Sequence, residues 1–269
     1  MTTLVTSATQ ARAGFTIFEA AGLTPASITP TRDAFRTAVG GGTVAGANGS
    51  FGGLRREINW DGVPDGFSDP NLLPGNFFNV NSPRGAVFST PGTGFLVSSN
   101  AGTSSPILFG FPNDLQVFSP QRLFTAINSN ITDVRFFVPG TSVIGSTTSF
   151  GVIFVDVEVA NTTRIEFFDE TDNLIFSRAA LVAGNQGLSF TGAVANAGER
   201  IGRVRITSGV NTLVSNGVLG NANDDFVAMD DFLYAEPLTA IVPEPSGLLL
   251  LGIGLVSGLV ASRTRRIRV

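Results

Sequence analysis

Acidic residues carry whatever chemistry this chain can perform. It has no histidine, no cysteine and no lysine, so every basic side chain is an arginine. That removes the usual general base, the commonest zinc ligand, the Ser-His-Asp triad, thiol nucleophiles and Schiff-base chemistry. It also removes any disulfide framework. Three acidic constellations remain. The first is Arg55-Arg56-Glu57-Ile58-Asn59-Trp60-Asp61, continuing to Asp65 and Asp69. Asn59, Asp61, Asp65 and Asp69 could offer the loop oxygens that a sugar or a calcium ion needs, and Glu57, Asn59, Trp60 and Asp61 form the candidate ligand-binding group. The competing reading is a set of turns and salt bridges, because Asp61-Gly62 and Asp65-Gly66 are ordinary turn signals. The second is Asp156-Val157-Glu158, with Glu166 and Asp169 in the next segment. Two carboxyls at i and i+2 flank a glycosidic bond only if suitably separated, with one pKa raised. An outward, solvated strand face explains them as well. The third is Asn223-Asp224-Asp225 followed by Asp230-Asp231 in an apolar run. Successive strand residues alternate sides, so one of Asp230 and Asp231 is expected inward, where it needs a cation or an arginine such as Arg203 or Arg205.

The elements that must position these groups read as β-structure between Gly14 and Tyr234. Phe15–Ala20 alternates apolar and polar residues as a half-buried strand does. Similar runs follow at Leu54–Trp60, Gly85–Ser89, Phe95–Ser98, Val134–Val138, Val152–Val159, Arg164–Phe168, Leu188–Val194, Ile201–Thr207 and Phe226–Tyr234. Gly, Pro, Asn, Ser and Asp separate them and supply turns. In the Leu54–Trp60 run, Leu54, Arg56, Ile58 and Trp60 share one face, with Arg55, Glu57 and Asn59 on the other. One short helix is expected, with Thr29 as cap, Pro30 at the first helical position and Gly40-Gly41-Gly42 as the stop. The fold class predicted is therefore all-β: a jelly-roll-like β-sandwich over residues 14–234 with one short helix. Residues 235–242 read as a linker.

The C-terminus carries a different signal. Pro243-Glu244-Pro245 is followed by an uncharged apolar run, Ser246–Ser262, and by Arg263, Arg265, Arg266 and Arg268. As a helix the run would cover roughly 25 Å at ~1.5 Å per residue, near the thickness of a bilayer core. The arginines would then lie on the cytoplasmic side and the preceding domain outside. A buried C-terminal helix is the alternative, but four arginines fit poorly in a core. With four arginines in the tail and a formal net charge of −4, the remaining body is acidic, so a nucleic-acid partner is not expected. Residues 1–13 lack a basic, apolar leader, yet Ala11-Arg12-Ala13 resembles a signal-peptidase site. They read either as the remnant of a signal peptide that starts upstream or as a disordered tail.

The order Pro-Glu-Pro, apolar helix, arginine-rich tail over residues 243–269 resembles the PEP-CTERM sorting signal. That resemblance implies an exosortase as partner, with Pro243, Glu244 and Pro245 as the recognised residues. It also implies transient anchoring in the inner membrane and delivery to the cell envelope or extracellular matrix, in an exopolysaccharide setting. The segments RREINWDGVPDGFSDPN, NFFNVNSPRG, FGVIFVDVEV, TRIEFFD, GLSFTGAV and FVAMDDFLYAEP resemble a sandwich cargo of such systems. The acidic pair of the last strand resembles that of carbohydrate-binding jelly rolls with a structural calcium. There the first strand lies near the last, so Glu19 joins Asp225, Asp230 and Asp231 as the candidate calcium set; no other cofactor is expected.

The function expected is a non-enzymatic, exported, exopolysaccharide-associated sandwich that binds carbohydrate. The alternatives are a structural, adhesin-like matrix protein without a defined ligand site, or a carboxylate-based glycoside hydrolase using Glu57, Asp156 or Glu158.

Overall fold

The computed structural model describes residues 14–103, 105–214, 217–218 and 225–239. The expected signal-peptide remnant at 1–13 and the sorting segment at 243–269 lie outside them. Among the described residues no helix is long and apolar enough to cross a membrane.

The elements in chain order are β1 (Phe15–Gly22), α1 (Pro25–Val39), β2 (Ser50–Phe51), β3 (Arg55–Ile58), α2 (Phe77–Val80), β4 (Ala86–Ser89), β5 (Gly94–Val97), β6 (Phe124–Ile127) and β7 (Ile131–Phe136). They continue with β8 (Gly145–Ser146), β9 (Ser149–Val155), β10 (Arg164–Phe168), β11 (Leu174–Ala179), β12 (Leu188–Ala195), β13 (Arg203–Thr207), β14 (Leu213–Val214), β15 (Gly217–Val218), β16 (Ala228–Ala235) and β17 (Leu238–Thr239). The protein is mainly β, with antiparallel sheets packed together. The larger sheet runs β1-β12-β9-β16-β6-β14-β15, with β3 also pairing β16, β2 pairing β3, and β5 pairing β6. The smaller sheet runs β11-β10-β13-β7-β4.

Two apolar layers hold these elements. Phe150 and Phe232 of the larger sheet meet Val134, Phe136, Phe167 and Val204 of the smaller one. On its other side the larger sheet buries Ile153, Leu188, Phe190 and Leu233 against Ile28 and Phe35 of α1 and against Leu115 and Leu123. Every residue of β9 is consequently buried. A strand covered on both faces gains nothing from polar alternation, which accounts for the continuous apolar run Gly151–Val155. Cross-strand partners Gly151 and Gly192 make room for α1: a Cβ on Gly192 would lie 3.1 Å from the Phe35 ring.

Several boundaries differ from the sequence expectation. The helix begins at Pro25, a turn and a half before Pro30, which sits inside it. Pro25 takes the first-turn position that Pro30 was expected to hold, and Thr29 donates to the Pro25 carbonyl (2.8 Å) instead of capping. Burial of Ile28 beneath the sheet favours these extra turns. The strand expected over Val152–Val159 ends at Val155, because Asp156 has φ 74° and turns the chain. Asp156 and Glu158 therefore do not share a face: Asp156 is 5% exposed and Glu158 lies in solvent. Strands β6 and β11 and the short helix α2 were not expected, and residues 235–242, read as a linker, contain β17, which pairs with β8.

Candidate functional site

Strand β3 is where the acidic and aromatic groups of the first constellation diverge. Arg55 is 1% exposed; it donates to Glu57 (2.6 Å) and to the carbonyls of Arg36 (3.2 Å), Gly42 (2.9 Å) and Gly40. Its guanidinium lies 4.4 Å over the Phe51 ring. Arg36 reaches the same Glu57 with two bonds, of 2.9 and 2.5 Å. Two cations on one carboxylate lock the C-terminal turn of α1 to β3. Arg56 points elsewhere and grips Glu236 with bonds of 2.6 and 2.7 Å.

Between α1 and the β2–β3 hairpin lies a cleft of about 490 Å³. Asp33, Arg36, Thr37, Thr43, Phe51 and Arg55 line it. Its two cations are balanced by Asp33 and Glu57. The cleft thus offers hydroxyls, a carboxylate and guanidinium donors around one aromatic ring, without a net charge.

Past Ile58 the chain turns at Trp60, whose φ is 62°. The indole stacks on Phe124 with centroids 4.0 Å apart and meets Phe78 and Phe232 edge-on. Its Nε1–H donates to the Asp230 carbonyl at 2.7 Å. Trp60 is thus a core anchor. Asn59 and the edge of Trp60 face a recess of about 250 Å³, lined also by Phe78, Asn81, Ser82 and Arg84. Asp61 turns the other way, accepting the backbone N–H groups of Gln121 (2.5 Å) and Arg122 (3.1 Å). Burial raises its pKa, and those two N–H groups with the Ser119 hydroxyl pull it back. The four expected ligand-binding residues therefore diverge: Glu57 lies behind the large cleft, Asn59 and Trp60 border the small recess, and Asp61 holds a loop.

Asp230 and Asp231 are both buried, against the expectation that only one faces inward. A register shift between Met229 and Phe232 breaks the alternation. Ser119 Oγ lies 3.0 Å from Asp230 and 2.9 Å from Asp231, and Asp230 also accepts the Phe118 N–H (2.6 Å). Burial pushes both carboxyls up, and for Asp230 the Asp231 charge adds to it. Neither Arg203 nor Arg205 is the partner, for both bind Asp133. The cation nearest to Asp231 is Arg32, at 3.9 Å.

The remaining members of the calcium set stand apart. Glu19 pairs with Arg178 of β11 (2.5 and 2.7 Å), joining the two sheets at one edge. Asp225 accepts the Glu158 N–H (2.9 Å) and the Thr162 hydroxyl. Among the described residues no three acidic side chains gather to hold a metal. Sequence reasoning did not single out Arg36, Phe51, Asn81 or Arg84. Their only signal was local: Arg36 in the expected helix, and Asn81-Ser82-Pro83-Arg84-Gly85 as a turn.

No family model matches the chain, and no curated protein matches it. Among solved structures, it is similar to the enzymatically active domain of tailspike protein 4 of bacteriophage CBA120, at 13% identity and a TM-score of 0.24. The match spans 63% of this chain and 21% of that one, and a likeness so distant carries no argument about fold or activity.

Proposed function

We propose that this chain is an exported, non-enzymatic protein of the cell envelope or extracellular matrix, handed to an exosortase by Pro243-Glu244-Pro245 and associated with exopolysaccharide through a jelly-roll-like sandwich. In this reading the apolar run before Arg263 is a transient membrane helix. Glycan association rests on one observation, the charge-balanced cleft between α1 and β2–β3. Its arginine, threonine and carboxylate groups match the donors and acceptors of sugar hydroxyls, and Phe51, covered on one side by Arg55, adds apolar surface to the lining. Hydrolysis fits less well, since Glu57 is tied to two arginines and Asp156 is buried away from Glu158.

A glycan array probed with the full-length chain and with Arg36→Ala tests the reading. Saturable binding that drops at least tenfold in the variant is the expected result. Flat signals across the array would leave a structural matrix protein in its place. Separately, uncut chain dissolved in the cytosol of the native host would remove the sorting assignment.

A further inference from the structure

The small recess beside Trp60 is lined by a cation, Arg84, that no carboxylate among the described residues contacts directly. Among the described residues Arg84 makes no ion pair, in contrast to Arg32, Arg36, Arg55, Arg56 and Arg122. Among the described residues its guanidinium donates to two neutral acceptors, the Ser82 hydroxyl (3.3 Å) and the Glu57 carbonyl, and lies 5.0 Å over the Phe78 ring. Burial lowers its pKa and the nearby Arg56 charge adds to this, while Tyr234 and Glu57 oppose it. The position is nonetheless rigid. The Arg84 N–H donates to the Phe78 carbonyl (2.8 Å), and its own carbonyl accepts the Tyr234 hydroxyl (3.0 Å). On the rim, Asn59 and Asn81 are exposed, and neither side chain has a hydrogen-bond partner among the described residues.

We infer that this recess, built from Arg84, Asn59, Asn81 and Ser82 over Trp60 and Phe78, binds a carboxylate group. A planar guanidinium held in place matches a carboxylate with two parallel N–H donors, and the amides can take its remaining lone pairs or neighbouring hydroxyls. At about 250 Å³ the recess is below the ~300 Å³ where drug-sized pockets begin, which suits one ring or a short acid. A hexuronate unit of an acidic polysaccharide and a free small carboxylate share this chemistry. The recess has no lining residue in common with the α1 cleft, although Arg36, Arg55 and Arg84 all bond to Glu57, so variants at each site are read separately.

The test uses the full-length chain and its single tryptophan, Trp60, as the reporter. Fluorescence and calorimetric titrations compare a hexuronate oligosaccharide, its neutral hexose counterpart and sodium acetate. The expected result is saturable uronate binding at least tenfold tighter than that of the neutral sugar. Asn81→Asp, which sets a like charge on the rim, should weaken it at least tenfold with an unchanged melting temperature. Arg84→Gln should do the same, and its melting curve is recorded because Arg84 also supports β3. Acetate binding without uronate binding retains the carboxylate site and assigns it to small free acids. Equal binding of charged and neutral sugars, no response to either carboxylate, or uronate binding untouched by Asn81→Asp overturns the inference. Neutral-glycan binding lost in Arg36→Ala but kept in Asn81→Asp belongs to the α1 cleft alone.

Discussion

The carboxyl groups of Asp230 and Asp231, sequence neighbours, converge on a single hydroxyl, that of Ser119. One hydroxyl proton serves only one acceptor at a time, so the pair is stable when it keeps a proton of its own. Folding raises both pKa values, so above the ordinary carboxylate value the folded state holds more protons than the unfolded chain. Stability contributed by the pair is full at acidic pH and falls as pH rises through the raised values. Asp231→Asn, neutral at every pH, should flatten this slope and stabilise the fold relative to the parent more at pH 8 than at pH 5. Urea unfolding at pH 5 and pH 8 measures it; a variant equally sensitive to pH would contradict the shared proton.

Asp156 is the second group with an upward shift. Burial drives its pKa from 3.8 to about 7, the Gln186 N–H bond opposes the shift, and the charges of Glu158, Asp114 and Asp225 add to it. The same sign applies: its contribution to stability is lost as pH rises from about 4 to about 7. Asp156→Asn tolerates the positive φ of 74° and can still accept the Gln186 N–H. It should raise the melting temperature at pH 8 and leave it nearly unchanged at pH 4. Carbon NMR of the Asp156 carboxyl should show a midpoint near 7.

Trp60 joins the core through packing and through one hydrogen bond, and two substitutions separate the contributions. Trp60→Phe keeps most of the stack on Phe124 and strands the Asp230 carbonyl, which costs about 1–3 kcal/mol. Trp60→Ala also opens a cavity among Phe78, Phe124 and Phe232 and should cost about 3–5 kcal/mol. Denaturant midpoints rank them; equal losses would mean that the hydrogen bond, not the stack, dominates.

Calcium should leave the melting curve of this domain unmoved. Glu19 is engaged by Arg178, Asp225 by Thr162 and a backbone N–H, and Asp230 and Asp231 by Ser119 and each other. A ligand that binds only the native state raises its stability by mass action. Scanning calorimetry in millimolar calcium and in chelator should therefore agree within about 1 °C; a clear rise with calcium would restore a shared site for these residues.

Much of the architecture was legible in the residues themselves. Alternation at Phe15–Ala20 and the apolar runs that became β9, β10 and β12 marked strands, because side-chain period follows directly from backbone geometry. Histidine, cysteine and lysine are absent, and that alone excluded whole classes of chemistry. Trp60 was placed on one strand face with Ile58 but grouped with the ligand-binding candidates, and only the packing on Phe124, Phe78 and Phe232 shows it to be a core anchor. The start of α1 was not, since Pro25 and Pro30 both suit a first turn and only the burial of Ile28 chooses between them.

Partnerships were decided elsewhere. Ser119 reaches Asp230 across 111 positions of sequence, Arg178 reaches Glu19 across 159, and Arg56 reaches Glu236 across 180. Local periodicity records which way a side chain points, but not which strand lies beside it. The fold alone fixed the bulge that turns both aspartates inward, and it alone left Arg84 without a direct ion pair among the described residues. Both depend on register and sheet packing, which arise from the sum of many distant contacts and leave no local pattern in the chain.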